Sequence, residues 1–219
     1  MRTAKAQSAA PPGAPGERVL SSEENPWTTL GVSRQYENDW IAVDDHEVRD
    51  AAGRPGRYGV VRFKETGVHV LPIDAEGRIT LVGQYRYAAR RYSWEVPAGG
   101  GEPDADPLEA AKRELREETG IEARHWLELL RLTLAGSIAT AQGVCFAAWD
   151  LSPAERRLDP QEVIELRRVP FAEAVALALS GGIRDAPSVA LILALRAKAD
   201  RGELPRTLAR LIRDGTDGA

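Results

Sequence analysis

A single cysteine, Cys145, leaves no partner for an intramolecular disulfide and suits a reducing, cytoplasmic compartment. It lies in an apolar, strand-like run, where a small buried hydrophobe is expected rather than a nucleophile. Long apolar runs are also missing. The longest, 189–195, falls far short of the roughly 20 residues that a membrane-spanning helix needs. No apolar stretch follows Arg2 and Lys5, so no secretory leader is expected. Positive charge is not in excess: the formal net charge is −4, which leaves no electrostatic footprint for nucleic acid or an anionic membrane. An anionic substrate is still permitted, because a bound metal reverses the sign locally. Residues 1–24 hold three prolines, Ser21, Ser22 and scattered alanines, with little to bury, and are expected to form a disordered tail.

What is present describes an ordinary globular chain. With 219 residues, 43% hydrophobic and 28% charged, one domain with one sizeable core is the simplest organisation. After the tail, 39–48, 57–64, 68–73, 79–85 and 94–96 read as short strands rich in valine, isoleucine and aromatics, divided by Gly67 and Glu76-Gly77. Two further strands are expected over 126–134 and 144–151, and a third over 163–169. Helices follow at 171–179, 188–199 and 204–212. Strands, one helix, strands and then helices indicate a mixed α/β sandwich. Trp27 and Trp40 are expected as packing anchors.

The most informative segment is Arg113-Glu114-Leu115-Arg116-Glu117-Glu118-Thr119-Gly120-Ile121. Its helix is marked at both ends. Asp106 is a good N-cap, Pro107 suits the first turn, Glu109 stands at the capping-box position, and Gly120 can take the left-handed conformation that ends a helix. At roughly 100° per residue, Leu108, Ala111, Leu115 and Thr119 form an inward stripe. Glu114, Glu117 and Glu118 share the adjoining arc, beside the small Ala110, while Lys112, Arg113 and Arg116 point away. Arg113 can pair with Glu117 one turn on. Like charges on one helix face repel, so helix stability gives no reason to gather them. A solvated charged face is the plain alternative. Hard divalent cations supply a chemical reason, since they prefer carboxylate oxygens and tolerate bound phosphate.

Upstream stands Trp94-Glu95-Val96-Pro97-Ala98-Gly99-Gly100-Gly101-Glu102, a strand running into a glycine-rich loop. Together the two segments resemble the Nudix box of the Nudix hydrolases. Gly99 takes the pattern's first glycine, and residues 113–121 match its last nine positions without a gap. One position departs: the first glutamate of the pattern falls on Ala105. Gln84-Tyr85-Arg86-Tyr87 before the loop, and Gly181-Gly182-Ile183-Arg184-Asp185-Ala186 before an apolar helix, resemble the ADP-ribose pyrophosphatase and nucleotide-sugar hydrolase branch.

The resemblance implies a Nudix-type α/β/α sandwich with a mixed β-sheet and an additional N-terminal antiparallel sheet. The domain would span 25–200, followed by a C-terminal helix and tail over 201–219. It implies Mg²⁺ or Mn²⁺ held by Glu114, Glu117, Glu118 and the Ala98 carbonyl, with Glu117, Glu118 and Arg113 as catalytic residues. Arg86, Glu95, Gly99 and Gly100 would contact a small-molecule nucleoside diphosphate linked to another moiety, such as ADP-ribose. A homodimer, with the N-terminal sheet completing the neighbouring site, is implied as well. The expected catalytic acid, in the loop between the two strands after the box, is missing. The stretch 135–149 has no Asp or Glu, and Thr140 and Ala141 stand where an acidic pair is expected. Either Glu117 or Glu118 serves as base, or another residue such as Glu162 reaches in, or turnover is slow. A nucleotide-binding or sensor protein that kept the fold is the alternative reading.

Overall fold

The computed structural model describes residues 25–102 and 104–214; the expected tail over 1–24 lies outside them. Three strands, β1 (Thr28–Glu37), β2 (Ile41–Arg49) and β3 (Pro55–Phe63), form the N-terminal antiparallel sheet in the order β1-β2-β3. Among the described residues, 25–33 with Asp45–Tyr58 make one compact unit, and Arg34–Asp44 with the residues from Gly59 onward make the second. Strand β1 is missing from the sequence expectation. It is exposed along nearly its whole length, so it has no buried face to print a two-residue period. Trp27 and Trp40 are 43% and 66% exposed, which corrects their expected role as packing anchors. Trp27 meets the edge of Tyr58.

The second unit is built on a seven-stranded mixed sheet. Its main path runs β10 (Glu165–Pro170), β5 (Arg78–Arg86), β4 (Thr66–Ile73), β9 (Gln142–Pro153) and β8 (Ile121–Thr133). Strand β6 (Arg91–Glu95) pairs with β5, and β7 (Ala98–Gly101) pairs with β4. The β4–β9 pair is parallel, with Val68 opposite Val144 and Leu71 opposite Ala147. Successive side chains point to opposite faces, so Val68, Val70, Val144, Phe146 and Ala148 face one layer while Leu71, Ile73, Cys145, Ala147 and Trp149 face the other. Helix α1 (Pro107–Thr119) covers the first set with Ala111 and Leu115. Helices α2 (Phe171–Ser180), α3 (Ala186–Asp200) and α4 (Arg206–Asp214) cover the second. This is the expected α/β/α sandwich. Leu204, Leu208 and Ile212 join the same core as the preceding helices, so packing continues past residue 200. Leu115 is fully buried, and its truncation to alanine is expected to cost about 2–5 kcal/mol. Cys145 is buried as anticipated, and burial pushes its thiol up to about 12.

Helix α1 begins and ends where its caps place it. The Asp106 carboxylate accepts the Leu108 N–H at 2.9 Å, and Gly120 closes the helix at φ 68° with its N–H bonded to the Arg116 carbonyl. Glu109, anticipated in a capping box, pairs instead with Lys112 at 2.6 Å.

Candidate active site

The glycine-rich segment read as a loop is strand β7, paired antiparallel with β4 from Thr66 opposite Gly101 to His69 opposite Ala98. Glycine serves close approach here more than mobility. A Cβ added to Gly99 would stand 2.0 Å from the Glu114 carboxyl carbon. On Gly100 it would stand 1.7 Å from the Glu65 carboxylate, and on Gly101 2.8 Å from the Ala110 methyl group. The three glycines therefore allow α1 and two acidic side chains to lie directly on the strand. Glu65 has no motif around it, and sequence reasoning missed it.

Glu118, expected at the edge of the buried stripe, is only 2% exposed. Its Oε2 accepts the Ala98 N–H at 3.0 Å. Burial pushes its pKa up to about 8; the Ala98 N–H works against that rise, the charges of Glu114 and Glu162 add to it, and Arg86 opposes it. Glu114 is raised too, first by burial, with Arg113 opposing and Glu117 reinforcing. Arg113 does not point away as its helical arc suggested. Its Nη1 donates to Glu117 at 2.8 Å, and its Nη2 reaches Glu114 at 2.7 Å and the Gly100 carbonyl at 2.7 Å. One guanidinium thus ties two of the three box glutamates to β7.

Arg86 and Glu95 stand at the two ends of the β5–β6 hairpin and meet through a two-pronged ion pair, Nε to Oε1 at 3.1 Å and Nη2 to Oε2 at 2.5 Å. Burial alone would raise Glu95, but Arg86 and the Ser93 hydroxyl hold it below the usual carboxylate range. The next residue, Val96, donates its N–H to the Ser188 hydroxyl at 3.0 Å, and Ser188 is bonded to the α3 cap Asp185. The Gly-Ile-Arg-Asp segment therefore sets the start of α3 against the end of β6. His69, on the α3 face of β4, is buried with neither ring nitrogen hydrogen-bonded among the described residues. Burial lowers its pKa and keeps the imidazole neutral.

The loop expected to supply the acid, 134–141, folds toward β3. The Val61 N–H donates to the Ile138 carbonyl at 2.8 Å, the Thr140 N–H to the Val61 carbonyl at 3.0 Å, and the Phe63 N–H to the Thr140 hydroxyl at 3.2 Å. The following loop, 154–164, runs along the end of α1 instead. The Ala154 N–H donates to the Gly120 carbonyl at 2.8 Å, the Arg157 N–H to the Glu117 carbonyl at 3.2 Å, and Arg156 to the Glu118 carbonyl. Glu162 lies on this second loop, near enough to raise both Glu114 and Glu118.

Among the described residues, no three His, Cys, Asp or Glu side chains already form a tight metal cage. The donor set nonetheless fits a hard divalent cation: the buried Glu118 and the largely buried Glu114, both held above their normal pKa by burial and by neighbouring negative charge, lie against Ala98 and Gly99 of β7. A cavity of about 660 Å³ lies by the β4–β5 turn around Asp74, Arg78 and Trp149 and has none of the box glutamates in its walls. No helix among the described residues is long and apolar enough to cross a membrane.

Comparison with known proteins agrees with this geometry. The NUDIX domain model matches residues 64–192. An ADP-ribose pyrophosphatase of Mycobacterium tuberculosis is 32% identical over 171 residues, covering 73% of this chain and 80% of the relative. An ADP-ribose pyrophosphatase of Bacillus subtilis is 34% identical over 160 residues, covering 72% and 85%. A crystal structure of an ADP compounds hydrolase shares the fold, with a TM-score of 0.74 and 23% identity over 84% of this chain and 100% of that one. A box helix whose glutamates lie on a glycine strand, within a domain matched over more than half the chain, makes this protein a member of the Nudix family and a Nudix hydrolase.

Proposed function

We propose that the enzyme hydrolyses the diphosphate bond of a nucleoside diphosphate linked to another moiety, with ADP-ribose as the model substrate, giving AMP and a sugar phosphate. The observation that carries this reading is the placement of Glu114 and Glu118 against Ala98 and Gly99. It is supported by similarity to two ADP-ribose pyrophosphatases over most of their length.

Glu114, Glu118 and the Ala98 carbonyl would hold Mg²⁺ or Mn²⁺, with Glu117 alongside. The cation would supply Lewis-acid stabilisation of the phosphate oxygens and lower the pKa of a bound water. The chain's own groups do the rest. The glycine backbone of β7 lets the diphosphate approach closely, and Arg86, oriented by Glu95, offers it a guanidinium. Arg113 holds Glu114 and Glu117 in position. For the proton of the attacking water, Glu162 is the base. It is an acid outside the box whose charge both Glu114 and Glu118 feel, and its loop is tied to the end of α1.

A homodimer through the N-terminal sheet accompanies this reading. Its support is the row of exposed Leu30, Val32 and Tyr36 on β1, surface that a second copy would bury. Sedimentation is expected to give twice the chain mass.

The deciding assay is release of AMP from ADP-ribose with Mg²⁺ or Mn²⁺. Metal-dependent turnover is expected, lost on chelation and restored on adding metal back. Absence of turnover with every dinucleotide and nucleotide sugar tried would overturn the reading.

A further inference from the structure

Two arginines beside the site remain uncommitted once its ion pairs are assigned. A cavity of about 300 Å³ next to the Arg86–Glu95 pair has Arg86, Arg91, Ser93, Glu95, Arg184 and Asp185 among its walls. Both carboxylates are occupied. Glu95 takes the two-pronged contact from Arg86, and Asp185 caps α3, accepting the Ser188 N–H at 2.9 Å and its hydroxyl at 2.6 Å. Arg91 and Arg184 have no carboxylate within 4.0 Å among the described residues. Arg184 donates its Nε to the Gly181 carbonyl at 3.0 Å, which orients the guanidinium without neutralising it. Three guanidiniums face two carboxylates, so the cavity carries an excess positive charge in a chain whose formal net charge is −4. Isolated surface arginines are common. Two converging on one concave site, from the β5–β6 hairpin and the α3 corner, form a fork suited to a phosphate.

We propose that this cavity receives a phosphate monoester carried by the substrate outside its bridging diphosphate. The preferred substrate class is then a nucleoside diphosphate derivative bearing a third phosphate, which is bound and not cleaved. Arg91 and Arg184 select it, and Arg86 stands between this cavity and the box. The inference rests on the hydrolase reading above and narrows its substrate.

The test compares three compounds with Mn²⁺: ADP-ribose, ADP-ribose 1″-phosphate and 2′-phospho-ADP-ribose. In the unaltered enzyme, one phosphorylated compound is expected to show kcat/KM roughly tenfold or more above ADP-ribose, the scale of one hydrogen bond to a charged group. That ratio should fall toward one in the Arg91→Ala/Arg184→Ala double variant and with rising salt, and be partly kept in Arg184→Lys. The compound showing the advantage identifies which end of the substrate enters the cavity. A ratio near or below one for both compounds, or an advantage that survives the double variant, overturns the proposal. Both arginines are exposed, so the variants are expected to fold, which their melting temperatures check. Calorimetric binding of the same compounds to metal-free protein reads the cavity without turnover. Should none of the three be hydrolysed, the hydrolase reading suffers, while a tenfold binding preference lost in the double variant still upholds the anion site.

Discussion

Two loops follow the box helix in the second unit, and they are opposites. The first, 134–141, has no acidic residue and hydrogen-bonds to β3, where the Thr140 hydroxyl accepts the Phe63 N–H. The second, 154–164, carries Glu155, Asp159 and Glu162 and is fastened to the carbonyls of Glu117, Glu118 and Gly120. Position after the box made the first the expected source of a catalytic acid. The proposal above gives that task to the second, which is the loop fastened to the end of α1. An absent acid in one loop is therefore poor evidence for an absent base when another loop passes the same helix end.

The largest test of this contrast removes the centre that the second loop approaches. Glu118→Gln is expected to lower kcat/KM for ADP-ribose on the order of 10³-fold, as for a principal electrostatic group. A loss below tenfold in steady-state kinetics would detach the chemistry from β7. Next in size, Glu162→Gln should lower kcat by about 10² or more, as for loss of a general base, with calorimetric metal affinity nearly unchanged. Thr140→Ala, on the other loop, should leave kcat within about threefold in the same assay. If Thr140→Ala were instead the more damaging change, the assignment of the two loops would be reversed.

A smaller effect concerns pH. Because burial raises Glu118 to about 8 in the folded chain, folding takes up protons in the range between an ordinary carboxylate pKa and that value. The associated stability is present at low pH and lost as pH rises through about 8. The melting temperature of metal-free protein is thus expected to fall from about pH 5 to about pH 9, and the slope should be reduced in Glu118→Gln. A flat profile common to both proteins would show that Glu118 is not the buried acid described. The smallest effect belongs to the first loop: removing the Thr140 hydroxyl should cost about 0.5–1 kcal/mol in urea unfolding, the worth of one hydrogen bond.

Much of the site was readable from local pattern. Asp106 and Gly120 act on their own backbone neighbours, so α1 starts and ends where they stand. The pairing of Arg113 with Glu117 follows from helical spacing alone. Burial of Glu118 was not readable in the same way, because it depends on how closely α1 lies on β7. That distance is governed by glycines 15 to 20 residues earlier in the chain. Strand β7 was hidden for a related reason: glycine has weak strand propensity, and only pairing with β4 makes Gly99–Gly101 a strand. Arg86 and Glu95 were each recognised, yet their ion pair needed the β5–β6 hairpin to bring the residues together.

By itself, the order of residues determined the capped acidic helix, the glycines before it and the alternation of strands and helices, since each depends on neighbours within a few positions. Only the folded chain decided which carboxylate is buried, which loop meets the helix end and which arginines line one cavity. Those outcomes rest on contacts between residues far apart in sequence, where packing and desolvation, rather than propensity, set the energy.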